Sequence, residues 1–179
     1  MNNVIRADIS HADIISAIGK AAFSNAFGHL FNNKQELKEY LEFTYHPKKL
    51  ALSLGKENNV YLIVLFEGTP VGFAKVKKYS LNENIESGAQ MELQKIYVLP
   101  ESQGNGAGSA LLREIKRLAR DIYPDYLWLD TYVGNEKAIR LYEKNGFQRI
   151  GRHYFTIGTQ TFEYVVMGWP VVFKVKNAC

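Results

Sequence analysis

Residues 103–108 read Gln-Gly-Asn-Gly-Ala-Gly, between a strand-forming run at Ile96, Tyr97 and Val98 and a strongly periodic stretch that starts near Ala107. A phosphate would bind at such a junction. Gly104, Gly106 and Gly108 uncover backbone N–H groups and let the chain take positive φ, while the first turn of the following helix offers unpaired donors and the positive end of a dipole. The spacing predicts an anion cradle made of Gln103, Gly104, Asn105, Gly106, Ala107, Gly108 and Ser109. Two familiar phosphate motifs do not fit it. A P-loop closes on Gly-Lys-Ser/Thr, whereas Gly108 is followed by Ser109 and Ala110. A dinucleotide fingerprint needs a third glycine where Ser109 stands.

The spacing Gln103-x-x-Gly106-x-Gly108 resembles the Q/R-x-x-G-x-G/A pyrophosphate loop of the GNAT acetyltransferases, which bind acetyl-coenzyme A. Further along, Asn135, Ala138, Tyr142, Gly146 and Phe147 stand as in that superfamily's N-x-x-A-x-x-x-Y-x-x-x-G-F pattern. Within the superfamily, residues 93–108 and 127–167 look most like PaiA-type spermidine/spermine N-acetyltransferases, and residues 23–27 and 40–42 match more loosely. The resemblance implies an α/β fold: a mixed, mostly antiparallel sheet flanked by helices, in which the coenzyme-binding strand and the strand at Tyr126 splay into a slot. It also implies acetyl-CoA as co-substrate, held by Ile96, Tyr97, Val98, the cradle, Asn135, Ala138 and Tyr142.

Acetyl transfer from a thioester to an amine needs a neutral amine, a stabilised oxyanion and a proton for the departing thiolate. With a reference pKa of ~10.4, about one amine in 2500 is neutral at pH 7, a deficit of roughly 4.6 kcal/mol. A general base or a proton-conducting water chain is therefore worth about 10²- to 10⁴-fold in rate. By resemblance, a main-chain N–H of the 96–98 strand faces the thioester carbonyl as an oxyanion donor. Tyr142 matches the family tyrosine and is the expected acid, because a phenol stays protonated at neutral pH and can donate to a thiolate. It would also lie on the packed face of its helix, and Asn135 reads both as N-cap and as a pantetheine contact. For the base, Glu92 stands where PaiA-like sequences carry a glutamate. Asp130 competes, since Trp128-Leu129-Asp130 resembles the Trp-Leu-Glu of ribosomal-protein alanine N-acetyltransferases of the RimI type. Either carboxylate could instead be an ammonium anchor or a solvated strand residue, and His153 and Tyr154 stand outside this pair. His11, His29 and His46 lack metal-ligand spacing, so no metal is expected.

These residues need elements to hold them. Periodicity and turn signals predict a strand over 4–7, a helix capped near Ser10 and ending near Gly28, a helix after Asn33 and a short one opened by Pro47. A hairpin follows over 61–66 and 71–79, then a polar loop, a strand over 89–98, the cradle and its helix, stopped at Tyr123-Pro124. A strand over 126–133, a helix between Asn135 and Asn145-Gly146, and strands over 147–150 and 162–168 complete the reading. The amine is expected to enter between residues 27–34, the helix after them and the strand region from 150 onward.

The 179 residues are 46% apolar and 22% charged, which suits one domain over 1–170 with a tail over 171–179. Such a length buries about 70% of the unfolded surface. The longest apolar run, 61–66, is too short to cross a bilayer, and the opening residues do not read as a signal peptide. A single cysteine, Cys179, excludes an intrachain disulfide, suits a reducing cytoplasm and offers no well-placed acyl relay. Direct transfer in a ternary complex is the expected mechanism. The net charge of +4 raises nucleic acid as a partner, but the dense basic group Arg113, Lys116, Arg117 and Arg120 sits opposite Leu111, Leu112, Ile115, Leu118, Ala119 and Ile122. That is the solvated face of an amphipathic helix, so neither nucleic acid nor membrane is expected.

The leading reading is acetylation of a primary amine, with spermidine or spermine first; a protein N-terminal acetyltransferase and a non-catalytic coenzyme-A-binding module are the alternatives. A polycation wants local acid, for which Glu36, Glu39, Glu42, Glu83 and Glu86 are available. The tail alternates apolar and basic residues and would pair as an edge strand, within its own sheet or across a homodimer.

Overall fold

In the computed structural model, which describes residues 1–171, the strands β1 (Asn2–Arg6), β2 (Asn59–Phe66), β3 (Thr69–Lys77), β4 (Gln90–Val98), β5 (Tyr126–Tyr132), β6 (Gln148–Ile157) and β7 (Gln160–Pro170) form one sheet. Its order is β1-β2-β3-β4-β5-β7-β6. Neighbours run antiparallel except β4 and β5, which are parallel. Helices α1 (Ala12–Phe27), α2 (Lys34–Thr44) and α3 (Pro47–Leu54) cover one face, and α4 (Ala107–Ile122) and α5 (Glu136–Lys144) the other.

Burial on both faces explains why β2 reads as an unbroken apolar run, and its hairpin to β3 turns on Glu67 and Gly68, both at positive φ. Behind the sheet, Met91, Leu93, Leu127 and Leu129 pack with Leu111, Leu112 and Ile115 of α4 and Ile139 and Tyr142 of α5. In front, Ile15, Ile18 and Phe23 of α1 pack with Tyr45, Phe73, Ile157 and Phe162. The mixed, mostly antiparallel sheet flanked by helices is thus the fold expected.

One interruption organises the molecule. β4 pairs with β5 only from Gln90–Tyr126 to Leu93–Leu129. Gln94 is then left over as a bulge in β4, between Val76–Leu93 and Lys75–Lys95. Beyond it β4 follows β3 to Val98 while β5 follows β7 to Tyr132, and the two part into the expected slot.

Three boundaries differ from expectation. Ser10 is not the cap of the first helix: the Asp8 carboxylate accepts from the Ser10 N–H at 2.9 Å and caps a short 3-10 turn, after which α1 starts at Ala12. β6 and β7 form a long hairpin rather than two short strands, because β6 is an exposed edge held by its ladder to β7 and lacks the apolar alternation that betrays a half-buried strand. Val171 belongs to the rear core and donates to the Asp125 carbonyl at 2.9 Å, so it is not part of a tail. The edge-strand or homodimer role expected of the remaining tail falls on residues 172–179, outside the described residues.

Candidate active site

After β4 the chain makes a short turn over Pro100–Ser102 and enters the glycine loop with Gly104 and Gly106 both at φ +86°. L-residues pay to adopt that conformation. Gly106 is the N-cap of α4 and brings no side chain to it, so the N–H groups of Gly108 and Ser109 are left for a ligand, that of Ala107 being taken by Asn105. Asn105 faces away from the cleft: its Oδ1 accepts the Ala107 N–H at 3.2 Å, and its carbonyl accepts from Asn2 Nδ2 at 2.8 Å. Sequence reasoning missed Asn2, which braces the loop from the far edge of the sheet; only a long-range contact reveals it.

The loop borders a cleft of about 700 Å³ between the end of α1, the free edge of β4 and α5. Of the residues expected to hold coenzyme, Ile96, Tyr97, Val98, Gln103, Gly104, Gly106, Gly108, Ser109, Asn135, Ala138 and Tyr142 line this cleft. Ala107 does not, being buried in the rear core, and neither does Asn105. The Leu99 N–H bonds to Val71 O at 2.8 Å, which by antiparallel alternation turns the Lys95 and Tyr97 N–H groups to β3 and those of Ile96 and Val98 into the gap. Lys137 Nζ reaches Gln103 Oε1 at 3.2 Å and ties α5 to the loop, and Gln103 Nε2 in turn donates to Val98 O at 3.3 Å.

Tyr142 is both packed and cleft-lining: it is 5% exposed, tilts against Phe147 at 5.9 Å and sits on the cleft wall. Burial, reinforced by the Asp130 charge, pushes its phenol above the ordinary range, so it is protonated at neutral pH. Asn135 accepts the Ala138 N–H at 3.3 Å as the N-cap of α5.

The two carboxylates stand on the opposite face of the sheet. Met91, Leu93 and Leu129 point to the rear core, so by alternation Glu92 and Asp130 point to the front, beneath α1 to α3. Neither lines the cleft. Glu92 is 8% exposed, accepts from Ser80 Oγ at 2.7 Å and lies 3.7 Å from Lys77 Nζ. Asp130 lies 3.3 Å from His153 Nε2, and the imidazole stacks on Tyr164 at 5.5 Å. Burial raises the Asp130 carboxyl above the usual range, with His153 and Lys95 opposing and Glu92 assisting. Its charge also reaches Tyr142, on the cleft wall, and Tyr164, which packs in the front core. His153 meets Asp130 only because β6 runs on past Ile150, the extension that its polar pattern concealed.

The region expected to admit the amine does come together. Glu36 of α2 accepts from the Thr159 N–H and Oγ1, each at 3.0 Å, and Gln160 Nε2 donates to Leu30 O at 2.6 Å. The acids there are already engaged: Glu42 with Lys20 at 2.9 Å and Glu39 with Gln35 at 2.9 Å, besides Glu36. Sequence reasoning also missed Lys95, whose signal was a second charge, beside Glu92, inside the strand Gln90–Val98. Among the described residues no cluster of three or more His, Cys, Asp or Glu could hold a metal, and no helix is long and apolar enough to cross a membrane.

A family model described as "Acetyltransferase (GNAT) family" matches residues 26–147. N-alpha-acetyltransferase RimI of Mycobacterium tuberculosis is 32% identical over 113 residues, covering 62% of this chain and 67% of that one. The spermine/spermidine N(1)-acetyltransferase of Bacillus subtilis is 28% identical over 117 residues, covering 64% and 74%. Among solved structures, the PaiA N-acetyltransferase of Thermoplasma acidophilum in complex with coenzyme A matches with a TM-score of 0.76 at 17% identity, over 95% of this chain and 99% of that one.

Proposed function

This chain belongs to the GNAT family of acetyltransferases, and from that premise we propose that it moves the acetyl group of acetyl-CoA directly to the primary amine of a small molecule within a ternary complex. The observation that carries the reading is the cleft itself, where an uncapped helix start, the free edge of β4 and a protonated phenol converge. In this reading Gly104, Gly106 and the Gly108 and Ser109 N–H groups of α4 receive the pyrophosphate. Asn135 and Ala138 border the pantetheine. The N–H groups of Ile96 and Val98 donate to the acyl oxygen and steady its negative charge as the amine attacks. Tyr142 donates to the departing sulfur. Asp130 receives the amine's proton, its raised pKa bringing it closer to that task, and Glu92 holds Lys77 and Ser80.

Spermidine and spermine are supported by resemblance over the C-terminal half and by the name of the Bacillus relative; N-terminal peptides are supported by the name of the mycobacterial one. Charge does not decide between them: Glu42 is neutralised by its ion pair with Lys20, while Glu36 and Glu39 accept hydrogen bonds from neutral groups and keep their charge. An acetyl-CoA turnover screen across polyamines, amino acids, aminoglycosides and N-terminal peptides tests the proposal. Turnover with a small amine supports it. Turnover with peptides alone replaces the acceptor class, and acetyl-CoA binding without any turnover makes the chain a binding module.

A further inference from the structure

Lys75 of β3 and Lys95 of β4 stand directly opposite each other in the ladder. Like charges so placed destabilise a sheet. Their side chains rise on the front face, and among the described residues neither ammonium has a hydrogen-bond acceptor. Lys95 Nζ lies 5.5 Å from the centre of the Tyr45 ring, and Lys75 Nζ lies 5.7 Å from that of Tyr61. Burial lowers both to about 8; at Lys75 the charges of Lys95 and Lys77 add to it, whereas at Lys95 the Asp130 charge opposes it ahead of the smaller push from Lys49. Lys77 and Lys49 add positive charge nearby, while the two carboxylates in reach are already committed, Glu92 to Ser80 and Lys77 and Asp130 to His153. A second observation points the same way: the Tyr45 hydroxyl is buried and makes no hydrogen bond of ordinary length and angle, although the Tyr97 phenol stands close enough to interact with it. Lys75 and Lys95 are half-buried rather than buried, and two ammonium groups held without an acceptor beside a buried hydroxyl form a cluster that an anion would neutralise.

The position suggests the use. Lys95 immediately precedes Ile96, whose N–H faces the gap, so its Cα stands one strand step of about 3.3 Å from the edge proposed to hold the acyl group, with its side chain on the acceptor's side of the sheet. We infer that Lys75, Lys95 and the Tyr45 hydroxyl form an anion subsite that seats a carboxylate or phosphate carried by the acceptor amine. The inference rests on the acetyltransferase reading for where the amine stands. It narrows the acceptor to amines with an anionic group and disfavours polycations, which would meet unneutralised ammonium charge.

Matched acceptors test it on the full chain: 4-aminobutyrate against butylamine, phosphoethanolamine against ethanolamine, and spermidine. The expected result is a kcat/KM at least about tenfold higher for an anionic amine than for its neutral partner, the scale of one charge-assisted hydrogen bond. The better of the two pairs identifies carboxylate or phosphate. Lys95→Met and Lys75→Met should abolish the preference, Lys95→Arg should retain part of it, and calorimetric affinity for acetyl-CoA should not change in any of them. An equal or reversed preference, or best turnover with spermidine, overturns the subsite. Calorimetry of glutarate and of inorganic phosphate against the coenzyme-A-saturated protein keeps this separate from the catalytic reading. Binding to wild type that the methionine variants lose upholds the subsite even if no amine is acetylated, whereas no binding of either anion together with no preference in turnover overturns it.

Discussion

The phenol of Tyr142 and the carboxyl of Asp130 are both raised by burial, yet in the proposed mechanism the shifts would serve opposite ends of one proton balance. Tyr142 stays protonated above its ordinary range, so it imposes no alkaline loss of activity below about pH 10. Tyr142→Phe keeps the ring packed on Phe147 and removes only the donor. It should lower kcat about 10²- to 10⁴-fold with little change in acetyl-CoA affinity, and a single-turnover rate equal to wild type would remove the acid assignment. Asp130 accepts a proton only when ionised, so kcat/KM should fall as pH drops through a midpoint above the usual aspartate value. Asp130→Asn should erase that limb, while Glu92→Gln should leave it in place. Because the folded state of Asp130 binds its proton more tightly than the unfolded state does, its charge costs stability at neutral pH. Asp130→Asn should therefore raise the melting temperature at pH 7 while lowering activity, an exchange that scanning calorimetry beside an assay would detect. At this scale the sequence was informative where a motif fixed the residue types: the glycines and Tyr142 were legible. The engagement of Glu92 by Ser80 and Lys77 was not, since it depends on a loop folding back across the sheet.

Among the elements, the glycine loop allows a controlled comparison. Gly106 and Gly68 have nearly the same left-handed φ, +86° and +83°, but Gly68 turns the β2–β3 hairpin, where an added Cβ meets nothing within 4 Å. Alanine at either position should cost about 1–2 kcal/mol of stability from backbone strain alone. Only Gly106→Ala should also weaken acetyl-CoA binding, because there the added Cβ comes within 3.4 Å of Asn2 Nδ2, which braces the loop, and strains the loop itself; equal coenzyme affinity in both variants, read by calorimetry, would place the pyrophosphate elsewhere. Helices α4 and α5 and strands β2 to β5 were legible because amphipathic periods and flanking caps agree with their burial. The β6–β7 hairpin was half legible. Its outer strand carries Arg149, Arg152, His153, Tyr154 and Thr156, a polar edge whose strand character comes from pairing and not from a buried face.

In the whole molecule, the sheet separates two cores: a rear one under α4 and α5, and a front one under α1 to α3, with the cleft at the gap between β4 and β5. A ligand seated in the gap touches both halves, so acetyl-CoA at about 100 times its dissociation constant should add about 2.7 kcal/mol and raise the melting temperature by roughly 5–10 °C. A thermal-shift titration reads this directly. The early end of the ladder between β4 and β5 also bears on solvent exchange. Past Leu93–Leu129 the central strand has hydrogen-bonded amides on one side only. Along β4, deuterium should therefore replace the Ile96 and Val98 amide protons quickly and those of Lys95 and Tyr97 slowly, a two-residue alternation in the middle of a sheet where uniform protection is the rule. Bound coenzyme would supply the missing rungs and even out that pattern, so the exchange profile of one strand records whether the protein is loaded.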